Sequence, residues 1–247
     1  MATPFRIKRS AVPGKAPQVD DLQFGELALN THDAELYTKR ARVGIGTDVV
    51  RVGSGASVTN IYYVTKDGKD TNTGKKLGDA KATIKSAVAV ASTIPGSIVK
   101  VSSGTYVESN PIKCGPQISV VGDSLREVTV VPQNAGSDLF HVAPGNYFTE
   151  MSFTGTMNAG KAIFAFDPDT IRYSAQSPYL RNCTNFVHNS IGMKIDGNHA
   201  IGPFKSFVTD SYTQYNQCGI GCSITNEGYA QIVSMFTINS SEGVFCG

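Results

Sequence analysis

The spacing of apolar positions changes several times along the chain, and each change marks an element. Residues 82–93 place Ile84, Ala87, Val88 and Ala91 on one helical stripe, and Pro95-Gly96 then ends the pattern, so a short helix is predicted there. After it the period becomes two. Ile98, Val99 and Val101, then Tyr106, Ile118, Val120 and Val121, broken by Gly104, Gly115 and Gly122, predict short strands joined by close turns. Upstream, Phe5-Arg6-Ile7-Lys8-Arg9 alternates and predicts a strand with one wet face. Residues 10–21 read as a Pro/Gly-rich loop. Leu22 to Asn30, a turn at Thr31–Ala34, and Glu35 to Lys39 predict a hairpin. Residues 41–59 carry alternating Val and several Gly, which predicts one more strand pair and then a Gly/Ser linker, with a domain boundary near Thr59. Ile61–Val64 predicts the next strand.

Beyond Gly122 a longer period emerges. An aromatic residue is followed, six or seven positions on, by Gly and a short apolar strand: Phe153 with Gly160, Phe186 with Gly192, Tyr212 with Gly219, Phe236 with Gly243. Tyr212 and Phe236, Gly219 and Gly243, and Cys222 and Cys246 are each 24 positions apart. That length suits one rung of a solenoid made of short strands. The expected stack is therefore Phe153, Phe186, Tyr212 and Phe236, with Cys222 and Cys246 stacked as small apolar residues and not as a disulfide. A turn insertion is expected around residues 167–178. The predicted fold is all-β, with a β-hairpin module at residues 1–59 and a parallel β-solenoid over residues 60–247 that opens with a capping helix. Its last rung completes at Cys246-Gly247 without a polar cap, so more chain or a covering partner is expected.

Composition narrows the function classes. The chain has 247 residues, is 40% hydrophobic and only 17% charged, with 25 Gly and no Trp, as expected of a folded chain with many turns. The net charge of +2 argues against a dedicated nucleic-acid binder. No apolar run approaches the roughly 20 residues that span a bilayer, so no membrane partner is expected. The opening MATPFRIKRS has no apolar signal core, and the five cysteines form no CxxC pair. Reduced thiols and assembly in a cytoplasm are the expectation.

Three stretches carry resemblances. The run ATIKSAVAVASTIPGSIVKVSSGTYVE resembles the opening of the right-handed β-helices of the pectin-lyase-like superfamily, which implies a right-handed parallel β-helix and says little about activity. FGELALNTHDAELYTKR resembles a module at the N-terminus of bacteriophage tail-fibre and tropism-determinant proteins. Gly25, Glu26, Leu27, Asn30, Thr31, Asp33, Leu36, Tyr37 and Lys39 match its pattern, with Ala34 where Gly is usual. Residues 207–243 resemble a block in virion structural proteins of T4-like marine phages, with Cys218 at a usual Gly. Together these imply a virion protein that anchors a trimeric rod to a tail, baseplate or neck. A short hairpin unit needs a core shared between chains, and copies of itself supply one. The residues expected at the trimer contact are Phe5, Ile7, Leu22, Phe24, Leu27, Leu29, Leu36 and Tyr37. Other virion proteins are the further partners.

Catalysis finds little support in the residue pattern. A lyase would need clustered carboxylates and a base, and a hydrolase two carboxylates flanking a sugar bond. Asp123, Glu127, Glu150, Asp167, Asp169, Asp196, Asp210 and Glu227 are the candidates, and most stand beside turn residues. Asp210, beside Arg181 or Lys194 of an earlier coil, is the strongest of them. His141, His188 and His199 lack ligand spacing. Asp67, Asp70, Asn72 and Gly74 could be a calcium loop, but their spacing suits Asx-turns leading into the helix better. No catalytic residue, metal or cofactor is therefore assigned. The alternative reading is a fibre that binds host-surface glycan through Tyr173, Tyr179 and Tyr215, or a depolymerase.

Overall fold

The computed structural model describes residues 7–42, 46–52, 60–168, 176–198 and 205–247, with the backbone alone at Arg42. Proximity in space divides the chain into Met1–Val58 and Thr59–Gly247.

The first unit is a four-stranded sheet in the order β1-β2-β3-β4. Its strands are β1 (Lys8–Ser10), β2 (Leu27–Asn30), β3 (Glu35–Arg42) and β4 (Gly46–Arg51). The predicted hairpin is β2–β3, closed by residues 31–34 with Asn30 opposite Glu35 and Leu29 opposite Leu36. Ala34 sits in the turn at φ 56°, the left-handed conformation that Gly usually supplies. The predicted first strand is shifted: β1 begins at Lys8, after Ile7, and Phe5 lies outside the described residues. β1 joins β2 in parallel, since the loop over residues 11–26 carries the chain back before it pairs.

The second unit is built from parallel strands throughout. In chain order they are β5 (Ile61–Val64), then helix α1 (Ile84–Ala91), β6 (Ile98–Val101), β7 (Gly104–Glu108), β8 (Ile112–Lys113), β9 (Ser119–Gly122), β10 (Val128–Pro132) and β11 (Phe140–Val142). They continue as β12 (Tyr147–Thr156), β13 (Ala162–Phe166), β14 (Tyr179–His188), β15 (Ile191–Asp196), β16 (Ser206–Gln214), β17 (Ile220–Thr225), β18 (Tyr229–Thr237) and β19 (Glu242–Cys246). The chain passes back and forth between two sheets, one in the order β18-β16-β14-β12-β9-β6-β5 with β10 pairing β12 and β7 beside it, and one in the order β19-β17-β15-β13-β11-β8. Each successive strand therefore lands beside its equivalent from the coil before.

The helix forms where the stripe predicted it. Ile84, Ala87, Val88 and Ala91 are fully buried, and Thr83 caps the start by accepting the Ser86 N–H at 3.1 Å. The long strands carry a bend that the sequence pattern did not reveal. Glu150, Asn182, Ser211 and Ser234 all have positive φ, between 45° and 59°, and each falls at the one unpaired position between two stretches of ladder. The bend reverses the alternation, so that Phe148 and Met151, three apart, are both buried. In the previous coil Gly122 holds the equivalent place. A Cβ there would lie 1.9 Å from the Glu150 carbonyl oxygen, which only Gly avoids.

The core runs through the stack. Phe140, Phe148, Phe153 and Phe164 form an aromatic cluster, with Phe140 and Phe164 stacked at 5.5 Å. Toward β16 the interior turns polar, with Asn185, Thr209, Gln214 and Asn216 fully buried.

Candidate functional site

In the first unit the motif residues prove to be the joints of one loop. Asn30 is buried, and its amide N–H groups donate to the carbonyls of Val12 at 2.9 Å and Lys15 at 3.1 Å and to Asp33 at 2.7 Å. The Asn30 carbonyl accepts the His32 and Asp33 N–H groups, an Asx-turn. Asp33 also accepts from the Gly14 N–H at 2.6 Å, and Glu26 accepts from Gln23 N–H at 2.8 Å and Lys8 at 3.0 Å. These bonds hold the carboxyls of Asp33 and Glu26 below the ordinary range: the His32 bond leads for Asp33 and the Gln23 N–H for Glu26. Between this loop and the sheet lies a concavity of about 500 Å³, walled in part by Arg9, Ala16, Pro17, Leu29 and Tyr37.

The predicted trimer contacts divide in a single chain. Leu22 and Tyr37 are buried with Ala28 in the small core of this unit, beside Val49. Ile7, Leu27, Leu29 and Leu36 are partly exposed, and Phe24 is 62% exposed with the Lys39 ammonium 5.4 Å from its ring centre.

The calcium reading of residues 67–74 gives way to an internal cation. The Lys81 side chain is buried, and its ammonium donates to the carbonyls of Asp70 at 2.8 Å and Asn72 at 2.6 Å. The Asp70 carboxylate turns away to accept the N–H groups of Ala82 and Thr83, which ties the loop to the start of α1.

In the second unit the predicted stack is corrected. Phe153, Tyr212 and Cys222 are core residues, but Phe186, Phe236 and Cys246 are exposed. Tyr212 pairs with Met235, not Phe236, and Cys222 with Val244, while Cys246 pairs with Ile224. The inward column is Met151, Cys183, Tyr212 and Met235. The 24-residue identity matches thus sit one or two positions out of register, because the last coil has shorter connections. Burial pushes the Cys222 thiol up to about 12, and the Cys114 thiol likewise to about 12.

The outer surface holds Arg181 and Asp210. Arg181 and Asp210 are register partners, with Nε 3.8 Å from Oδ2, whereas Lys194 stands on the other sheet beside Ala165 and Ser223. Around them a groove of about 390 Å³ is lined by Tyr147, Thr149, Glu150, Arg181, Asn182 and Ser211. Asp123 pairs with Lys100 at 3.0 Å, and Asp196 accepts from Asn226 at 2.8 Å. Asp169, Tyr173 and His199 lie outside the described residues.

A denser cluster on the other sheet escaped the sequence reading. His141, on β11, has Nε2 3.4 Å from Asp138 and Nδ1 3.8 Å from Asp167, and Lys113 stands 3.6 Å from Asp167. Burial pushes the Asp138 carboxyl up, but the His141 bond and the Ala162 N–H outweigh it and hold it below the ordinary value. Beside it a cavity of about 160 Å³ is walled by Asp138, Phe166, Lys194, Asp196 and Lys205 among others. That is small against the roughly 300–1,000 Å³ of a typical ligand site. It is lined by charges of both signs, Asp138 and Asp196 with Lys194 and Lys205. The signal was available only as equivalent strand positions, Lys113, His141 and Lys194, and these align only once the register is known.

Among the described residues no group of three His, Cys, Asp or Glu could hold a metal ion, and no helix is long and apolar enough to cross a membrane. No protein-family model and no curated protein matches the chain. Among solved structures it is similar to ORF18 of Geobacillus virus E2, at 12% identity and a TM-score of 0.32, over 92% of this chain and 71% of that one. At that level of likeness neither fold nor activity carries over.

Proposed function

We propose that this chain is a structural protein of a bacteriophage virion appendage. Residues 60–247 would form a right-handed parallel β-helix that serves as a stiff spacer, and residues 1–59 an intertwined trimeric unit that fixes it to the particle. The observation that carries the reading is the parallel ladder, coil on coil, over a continuous interior from Tyr62 to Tyr212. Such a stack resists bending because the ladders along its strands pair each coil with the coil above or below. The right-handed sense is favoured because parallel crossovers within a sheet are right-handed in about 98% of cases. Support for the trimer comes from the first unit, whose buried hydrophobic core among the described residues is Leu22, Ala28 and Tyr37. So small a core does not stabilise a sheet alone. No catalytic step is assigned.

Light scattering on the purified chain at micromolar concentration tests this. Three copies of the 26.3 kDa chain are expected, and a monomer overturns the trimeric reading. A chain lacking residues 1–59 that still enters virions would sink the attachment role.

A second reading, glycan binding, is favoured by the Tyr147–Tyr179 ring pair, 5.7 Å apart, beside the Arg181 groove. Of the aromatics first assigned to it, Tyr179 stands there and Tyr215 beyond the bend. Binding to immobilised host polysaccharide, lost in Arg181→Ala, would support it. Release of reducing ends, lost in Asp210→Asn, would instead point to a depolymerase.

A further inference from the structure

The register sorts the outward side chains of the second unit into columns. One column reads Lys100, Val121, Thr149, Arg181, Asp210, Val233. Another reads Lys113, His141, Ala165, Lys194, Ser223, Phe245. Both carry charges. The farther of the two columns beyond the bend does not. It reads Val107, Val131, Thr154, Phe186, Tyr215, Ile238. Val107 pairs with Val131 and Thr154 with Phe186, while the other neighbours stand one position past the paired Val130–Phe153, Asn185–Gln214 and Gln214–Thr237. The Phe186 and Tyr215 rings touch, with centroids 6.4 Å apart.

This column is exposed where its side chains are largest: Val107 is 59% exposed, Phe186 37%, Tyr215 39% and Ile238 46%. Arg126 borders it, its guanidinium 6.0 Å from the Phe186 ring centre. A contiguous uncharged stripe whose largest apolar side chains are exposed marks an interaction face.

We infer that this stripe is a lateral interface between copies of the chain, separate from the N-terminal unit and resting on the trimeric reading above. The period selects the occupant. Side chains in the stripe recur at the strand spacing, about 4.8 Å, and another copy held parallel repeats at the same height. Each level of one copy then meets its equivalent. No column charge needs desolvating when copies meet around a common axis, whereas either of the two charged columns would bury like charges against themselves.

Cross-linking of the full chain tests this. Cys218 and Cys246, the exposed thiols, are replaced by Ser in every variant. Val107→Cys and Thr154→Cys place a thiol in the stripe, and Val233→Cys places one in a charged column. A short bis-maleimide should join copies through residues 107 and 154 with a yield several-fold above that through residue 233. Equal yields overturn the inference. If the chain scatters as an oligomer and the stripe positions fail to cross-link, the lateral interface is wrong while the N-terminal reading stands. A monomer by light scattering defeats both.

Discussion

The carboxylate of Glu108 accepts the backbone N–H of Ile84 at 2.7 Å, across 24 positions of chain, and that of Lys85 at 3.0 Å. The last residue of the GTYVE run thus adds to the Thr83 cap of α1, and it ties the helix to β7. Burial raises the Glu108 carboxyl above its ordinary value of 4.5, and the Ile84 and Lys85 N–H groups pull it back only in part. A raised folded value means that the folded chain holds this proton more tightly. The contribution to stability is then full below the ordinary value and declines as pH rises through the folded one. Glu108→Gln keeps one acceptor and turns an amide N–H toward the other donor. It should lower stability by about 1–3 kcal/mol at neutral pH and flatten that part of the pH profile. Urea midpoints of both proteins between pH 3 and 7 check both statements.

Asp138 has the opposite sign. Its carboxyl is held low by the His141 bond and by the Ala162 N–H, against burial. A depressed folded value gives stability that is present above the ordinary value and lost as pH falls through the folded one. Asp138→Asn should therefore unfold with a shallower acid limb than the wild type, at a cost of about 1–2 kcal/mol at neutral pH. Identical acid limbs would show that the pair does not couple to folding.

Elements were legible in the sequence, and register was not. Ile84, Ala87, Val88 and Ala91 share one helical face because a helix is a local structure, and its period is written in consecutive residues. The β2–β3 hairpin was legible for the same reason. The stacking of Tyr212 on Met235 is not local: it depends on the connections between coils, which vary from one coil to the next. Matching aromatic to aromatic and Cys to Cys put Phe186, Phe236 and Cys246 inside when they face out. His141 and its carboxylates were missed for that reason too, since Asp138 and Asp167 meet only through the coil geometry. Asp210 beside Arg181 was anticipated, because both lie early in equivalent strands.

Lys81 supplies a prediction about metal. Its ammonium holds the Asp70 and Asn72 carbonyls that would otherwise face one another unpaired. Lys81→Met should leave both without that donor in a partly buried setting and cost about 1–2 kcal/mol. Neither calcium nor EDTA should move the melting temperature of the wild type. A calcium-dependent rise would show that the loop accepts the ion after all.

The bend in the long strands gives the sharpest test of the stack itself. Asn182 adopts φ 45°, directly above Glu150 at 59°, and its amide N–H donates to the Glu150 carboxylate at 2.7 Å. Asn tolerates the left-handed region through its short polar side chain, whereas a β-branched residue does not. Asn182→Val should cost about 1–2 kcal/mol in backbone strain, beyond the lost hydrogen bond. Asn182→Gly relieves the strain and loses only the bond, so it should fall between wild type and Val. Because the bend sets which side chains face in on both sides of it, the strain should spread to the neighbouring coils. Hydrogen exchange should then quicken in β12 and β16 together with β14 in the Val variant. Faster exchange confined to β14 would show that each coil holds its bend alone.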